Sequence, residues 1–198
     1  MSHCVRRISL AALPALILVA CNREPAAPPE ANQTASTVDQ TAPTSVASAS
    51  AIATLTRSDG APAGSATLEE TPNGLSVTIA AIGLPPGIHG VHLHAIGKCD
   101  GPKFESAGPH WNPTSRKHGR DNPEGLHLGD LSNIGIGADG SGHSIFTIGT
   151  ASLTEGPNAL LDADGASLVI HAKPDDYKTD PSGNSGDRIA CGVISAAS

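Results

Sequence analysis

Six histidines and one aspartate stand in an order and spacing that two adjoining metal ions would require. They are His92 and His94 in GVHLHAIG, His110 in AGPHWNP, His118 in SRKHG, His127 and Asp130 in LHLGD, and His171 in VIHAKPDD. Of nine histidines, only His3, His89 and His143 fall outside the set. One tryptophan, one tyrosine and two phenylalanines offer little aromatic chemistry, which leaves the imidazoles as the seat of function. His92 and His94 are two apart, so a strand points both to one face and sends Val91 and Leu93 to the core. His89 then falls on the inward face and reads as a hydrogen-bonded core histidine. His171 follows Ile170 on another strand. Three neutral imidazoles from two strands suit copper, which favours nitrogen donors in a tetragonal arrangement. His110, His118, His127 and Asp130 make a closed four-coordinate set of the kind structural zinc prefers. His110 lies between the groups and can serve both, one metal on each ring nitrogen. A bridging imidazole loses both ring protons, which only two cations make easy near neutral pH.

Each fragment also has a plain reading. An H-x-H on a strand is more often a surface pair than a ligand set. A lone histidine in a Gly/Pro loop is usually a solvated turn residue, and His127 near Asp130 can be a simple ion pair. The conjunction of all seven residues is what points to metal.

The elements that must position them read as β. Short alternating runs are separated by Gly, Pro, Asn and Asp, and strands are predicted at 51–57, 64–70, 75–82, 88–95, 127–135, 142–149, 167–172 and 190–195. His127 would start one of them. Thr71-Pro72-Asn73-Gly74 and Ala138-Asp139-Gly140 are hairpin signals. No segment sustains a 3.6-residue period. The fold class is therefore all-β, an antiparallel sandwich or barrel of about eight strands. Two intervals, 96–126 and 173–189, lack strand pattern, and structureless loops of such length are usually functional. The first carries His110 and His118, the second Arg188.

The ends belong to something else. Arg6 and Arg7 precede an apolar run, Ile8 to Ala20, too short to span a bilayer comfortably. The run ends in Leu18-Val19-Ala20-Cys21, which resembles a bacterial lipoprotein signal, with residues 1–20 removed and Cys21 carrying the lipid. Asn22 in place of Asp favours the outer membrane by the same resemblance. Residues 21–50 are a Pro/Ala/Thr/Ser-rich linker that cannot bury enough apolar surface to offset its ordering entropy. It reads as a tether holding a folded domain, 51–198, off the membrane. In such an exported chain the remaining cysteines, Cys99 and Cys191, form an even pair and read as a disulfide. Without Arg6 and Arg7 the chain holds 10 Lys and Arg against 19 Asp and Glu. No basic stripe exists to meet phosphates, which argues against a nucleic-acid partner.

The domain resembles the copper/zinc superoxide dismutases. The matching stretches are GIHGVHLHAIGKCD, SAGPHWNPTSRKHG, HLGDL, LVIHAKPDDY and GNSGDRIACGVI, which span most of 51–198. The resemblance implies a Greek-key arrangement with two long functional loops. It implies copper held by His92, His94, His110 and His171, and zinc by His110, His118, His127 and Asp130. Asp175 would link His92 on the copper side to His118 on the zinc side, and Arg188 would guide superoxide beside the copper. The implied reaction is disproportionation of superoxide to oxygen and hydrogen peroxide by alternating Cu(II) and Cu(I), with His110 taking up and passing on a proton. The implied setting is the bacterial cell envelope, periplasmic, with the lipid at Cys21 as the only membrane attachment.

Two departures stand out. The second loop is acidic and lacks the family's steering lysine, since Pro181 and Ser182 precede Gly183-Asn184; Asp187 also sits beside Arg188. Lys98, Lys103, Arg116 or Lys117 would have to supply positive potential from the first loop. The competing reading is a non-enzymatic copper-binding lipoprotein on the same fold, which would be expected to lose ligands or the arginine. The sandwich edges and faces can support a homodimer.

Overall fold

The computed structural model describes residues 49–197. Nine strands follow in order: β1 (Ser50–Arg57), β2 (Pro62–Thr71), β3 (Gly74–Ala81), β4 (Gly87–His89), β5 (Val91–His94), β6 (Ile134–Ile136), β7 (Gly142–Ile148), β8 (Ala166–His171) and β9 (Arg188–Ala196). Seven of them form one sheet in the order β5-β8-β9-β1-β2-β3-β7, every pair antiparallel, and β4 pairs with β6 in a second. β4 runs into β5 through Gly90 alone, and β6 returns into β7 through a turn in which Gly137 N–H donates to Ser141 O at 2.8 Å. The strands therefore curl into a ring, the Greek-key sandwich or barrel expected. Both hairpin signals fall between paired or adjoining strands, β2 to β3 and β6 to β7. Helix is limited, among the described residues, to a single 3-10 turn at Glu105–Ala107, and no helix there is long and apolar enough to cross a membrane.

Alternation explains the core. Ala51, Ala53 and Leu55 on β1, Ala66 and Leu68 on β2, and Leu75, Val77 and Ile79 on β3 all point inward and are buried. β8 is different, with all six residues buried. Leu168 and Ile170 face the main core, while Val169 packs with Phe104, Ala107 and Cys191 under the first long loop. That loop lies across the outer face of β8, and Ser167 ties it down by donating its Oγ–H to Ile96 O at 2.9 Å.

Three expectations need correction. The run 88–95 is two strands, not one. Gly90 donates its N–H to Lys173 O (2.8 Å) and accepts from His171 N–H (2.9 Å), so the chain leaves β6 and joins β8 at that residue. The count becomes nine, although eight passes of the chain remain. The run 127–135 is strand only from Ile134, and His127 lies in a turn. Gly129 there is wedged so tightly that a Cβ would meet Leu93 O at 2.4 Å, and the segment bends to aim Asp130 rather than extending. Finally, a third strand-free interval separates β7 from β8, residues 149–165. It is pinned by buried Leu153 and Leu160 and by the Glu70 carboxylate, which accepts the Leu153 N–H.

Candidate metal centre

The β5–β8 pair lays the first imidazoles in place. Val91 and Leu93 enter the core, so His92 and His94 point outward beneath the loop, each with no exposed surface. His171 ends β8 opposite the start of β9, where Arg188 is its register partner. The first loop is drawn over them: His94 and His110 form an isolated bridge, as do His92 and Asp130. His118, also fully buried, comes in further along the same loop.

The hydrogen bonds assign the ring protons. A carbonyl or carboxylate oxygen only accepts, so the ring nitrogen facing it carries the proton. His94 donates Nδ1–H to Gly108 O (2.9 Å) and His171 donates Nδ1–H to Gly186 O (3.2 Å). His92 donates Nε2–H to Asp175 Oδ2 (2.8 Å), and His118 donates Nε2–H to Asp175 Oδ1 (3.0 Å). Burial holds the His92, His94 and His171 rings neutral, so their opposite nitrogens keep their lone pairs. His92 Nδ1, His94 Nε2, His110 Nε2, His118 Nδ1 and His171 Nε2 are buried and have no hydrogen-bond partner. A buried unpaired polar atom is costly and rare, and five together are what a bound cation would satisfy.

Two groupings emerge. Ligand atoms of His92, His94, His110 and His171 lie within 4.8 Å of one another. So do those of His92, His110, His118 and Asp130. His92 belongs with the first, because Asp175 takes its Nε2 and leaves one nitrogen to give. His127 completes the second: its Nδ1 lies 3.2 Å from Asp130 Oδ1 and 3.4 Å from His110 Nδ1. Asp130 Oδ1 is the common neighbour of His110 Nδ1 (2.8 Å), His118 Nδ1 (3.0 Å) and His127 Nδ1. The His118 approach lacks hydrogen-bond geometry, as expected of two ligands converging on an ion instead of bonding each other. Asp130 Oδ2 accepts Gly119 N–H (2.9 Å) and His127 N–H (3.0 Å), which fixes where Oδ1 points. The donor chemistry of the first set, all imidazole, fits copper, and that of the second, three imidazoles and a carboxylate, fits zinc.

By distance the two groups adjoin and share His92 and His110, and His127 stands beside the second through its contacts with Asp130 and His110. His89 is separate, as expected: it is buried, its Nδ1 is 2.8 Å from His171 O and its Nε2 is 2.9 Å from Pro85 O. Cys99 and Cys191 are joined, with Cα atoms 5.7 Å apart. Arg188 is partly buried and donates Nη1–H to Phe104 O (2.6 Å) and Nη2–H to Gly108 O (2.7 Å). It lines one open cavity with His110, His127, His171, Arg116 and Lys117.

Sequence reasoning missed the seating of Asp175. Its Oδ1 also accepts Tyr177 N–H (2.6 Å). Gly183 presses so close that a Cβ would fall 1.8 Å from Asp175 Oδ1 and 2.7 Å from His118 Nε2, so only glycine fits. Asn133 and Tyr177 bond around it as well. The His171-Ala-Lys-Pro-Asp-Asp-Tyr177 run gives no hint of which side chain will clamp the aspartate.

Burial sets the protonation of the copper side. Desolvation pushes His94 well below the ordinary imidazole value, with His110 and Arg188 adding repulsion. It lowers His92 against the pull of Asp175, His110 to about 4 and His171 to about 3. His118 goes the other way. Burial opposes its charge, but Asp130 and Asp175 raise it to about 9. For both carboxyls burial acts upward and is outweighed by their bonds, to the imidazoles for Asp130 and to His118, His92 and Tyr177 N–H for Asp175, so both are held well below the carboxylate range.

A pH dependence follows. Below about pH 9 a metal ion held by His118 would have to displace its proton, so affinity at that site would fall about tenfold per pH unit from that proton alone. His110 and His171 carry no competing proton until the pH nears 4. Dialysis of the loaded protein at stepped pH from 7 to 4 is expected to remove zinc before copper. Equal loss of both metals, or copper first, would show that His118 does not hold zinc.

Comparison with known proteins agrees with the chemistry. The family profile described as copper/zinc superoxide dismutase matches residues 62–194. The chain is 45% identical over 148 residues to "Superoxide dismutase [Cu-Zn]" of Caulobacter vibrioides, covering 73% of this chain and 85% of that one. It is 45% identical over 133 residues to "Superoxide dismutase [Cu-Zn] 1" of Aquifex aeolicus, covering 66% and 79%. The crystal structure of a SOD-like protein from Bacillus subtilis superposes with a TM-score of 0.69 at 41% identity, over 72% of this chain and 96% of that one. Two adjoining groups of buried potential metal ligands, a curled antiparallel sheet and a match across most of the domain have one common explanation: this chain belongs to the copper/zinc superoxide dismutase family.

Proposed function

We propose that the protein is a superoxide dismutase working in the bacterial cell envelope with copper in the His92, His94, His110 and His171 set and zinc in the His110, His118, His127 and Asp130 set. The observation that carries the reading is the row of five buried imidazoles, each with one nitrogen donated away or aimed at Asp130 and the other unpaired. When bound, copper supplies a one-electron couple, so that two superoxide anions and two protons become oxygen and hydrogen peroxide.

The chain's own residues do the rest. Asp175, Gly108 O and Gly186 O hold the three copper-side rings in single tautomers with the free nitrogen inward. His110 keeps Nδ1 toward Asp130 and offers Nε2 to the copper side. With Nδ1 engaged, Nε2 is where a proton is held and passed to the forming peroxide. Arg188, fixed by two carbonyls beside His94 and His171, binds and orients the anion.

Delivery of an anion to an acidic protein needs a local positive lining. Arg116, Lys117 and Arg188 face the cavity, Lys117 3.7 Å from Asp180. Added salt is expected to lower kcat/KM, and Arg188→Ala to lower it roughly tenfold or more and flatten the salt dependence. Stopped-flow decay of superoxide at increasing ionic strength measures both. A rate that rises with salt would refute attraction at the cavity.

The N-terminal signal, Cys21 and the linker as far as residue 48 lie outside the described residues. The sequence pattern supports lipid attachment at Cys21 and a tether from there to about residue 50, and the start of β1 at Ser50 supports a domain boundary near 51. Cys21→Ser is expected to move the protein from the membrane to the soluble fraction with activity retained. Unchanged membrane sedimentation would count against the anchor.

The deciding test of function is the dismutase rate of the chain loaded with copper and zinc, with and without cyanide, beside a metal count. A fast, cyanide-sensitive rate with one copper and one zinc per chain is expected. Copper bound without turnover would favour the non-enzymatic copper-binding reading.

A further inference from the structure

We infer that Asn133 is a positioning residue whose side-chain amide brackets the Asp175 backbone and thereby couples zinc occupancy to the geometry of the copper ligands. The inference rests on the two-metal reading and adds to it a residue outside every ligand set. Asn133 Oδ1 accepts Asp175 N–H at 2.8 Å, and Asn133 Nδ2–H donates to Asp175 O at 3.0 Å. Two bonds from one amide to the N–H and C=O of one residue fix that residue's position and rotation, not merely its distance. Asp175 is fully buried, and its two oxygens go to different rings, Oδ2 to His92 and Oδ1 to His118. A carboxylate shared in this way can satisfy both only if its backbone sits still.

The bracket also has a route to the zinc side. Asn133 stands three residues beyond Asp130, whose Oδ1 is the common neighbour of His110, His118 and His127. Between them, Leu131 donates its N–H to Val91 O at 3.2 Å, and His92 bridges Asp130, so this short segment is laid against β5. Asn133 N–H donates to Tyr177 Oη at 2.8 Å, and Tyr177 N–H returns to Asp175 Oδ1. The Arg120 guanidinium covers the Tyr177 ring at 3.7 Å and donates to Ser132 Oγ at 3.1 Å. Any displacement of Asp130 as zinc enters or leaves is therefore transmitted through Asn133 to Asp175, and through its Oδ2 to His92. The His92 ring is the copper ligand whose orientation depends on that carboxylate.

The test compares zinc affinity and the copper electron paramagnetic resonance spectrum of the full chain, zinc-loaded and zinc-depleted, in the parent and three variants. Asn133→Ala is expected to weaken zinc about tenfold or more while copper stays at one per chain. Its zinc-loaded copper spectrum should already resemble that of the zinc-depleted parent. Asn133→Asp keeps the acceptor for Asp175 N–H and loses the donor to its carbonyl, so an intermediate loss is expected. This variant carries the test if the alanine variant does not fold. Tyr177→Phe leaves the amide bracket in place but loses the bond from Asn133 N–H, so a spectral shift smaller than that of Asn133→Ala is expected. Zinc affinity within twofold of the parent in a folded Asn133 variant overturns the inference. So does a Tyr177→Phe spectrum shifted as far as that of Asn133→Ala, which would mean general loosening of the loop. A parent that binds neither metal would overturn the two-metal reading itself, and that result is visible before any variant is made.

Discussion

His110→Ala is expected to lower dismutase activity by more than about a hundredfold and to release zinc as well. Other copper-side changes should not do both. His171 contributes one nitrogen to the copper set, and its other nitrogen is spent on Gly186 O. His127 Nδ1 lies near His110 Nδ1 and Asp130 Oδ1, and its ring stands beside that of His118, all on the zinc side. His110 alone turns a nitrogen to each set, Nδ1 to Asp130 and an unpaired Nε2 to the copper side. Its ring also lies against that of His92, with centroids 3.9 Å apart, so truncation opens a void between the two clusters. His171→Ala should therefore lose copper and keep zinc, His127→Ala should weaken zinc first, and His110→Ala should do both. Metal counts on the three purified variants, taken with stopped-flow rates, separate these outcomes. Zinc retained at parent affinity in His110→Ala would refute the shared role.

The second large effect concerns stability. Removing the Cys99–Cys191 bond by Cys99→Ala with Cys191→Ala frees a loop closed across a separation of 92 residues. Loop-closure entropy gives about 4–5 kcal/mol for such a span. Against a total of roughly 5–15 kcal/mol for a domain, that is a large share. The local effect compounds it. Cys191 lies three residues after Arg188 on β9, and Arg188 is anchored to Phe104 O and Gly108 O in the loop that Cys99 begins. Val169, Phe104, Ala107 and Cys191 pack as a small cluster beneath that loop. Without the bond, residues 99–108 keep only this packing and a few hydrogen bonds. Urea unfolding of the metal-free protein should show the midpoint falling in proportion, and proteolysis should begin within residues 96–126. An unchanged midpoint with unchanged cleavage would show that the bond contributes little.

The copper side was the most legible part of the chain. A period of two on β5 puts His92 and His94 on one face whatever the rest does, and the alternating cores of β1 to β3 follow the same rule. What escaped was set by contacts distant in sequence. Residues 127–135 read as one strand, yet Gly129 is pressed against Leu93 O and Trp111 and the segment bends. The break at Gly90 depends on Lys173, and the 149–165 interval on Glu70, each a partner more than 75 residues away. Asn133 and Tyr177 have no periodicity at all. They matter only because the fold brings them to Asp175.

One carbonyl carries an unusual burden. Gly108 O accepts both His94 Nδ1–H and Arg188 Nη2–H, which uses both of its lone pairs. His94, proposed to hold copper, and Arg188, proposed to bind the anion, are thus seated on the same atom of the first loop. If that loop lifts, both are released in one event, and no half-working molecule remains. The specific activity of a preparation then becomes a head count: it reports the fraction of molecules with the loop down, not an average over graded damage.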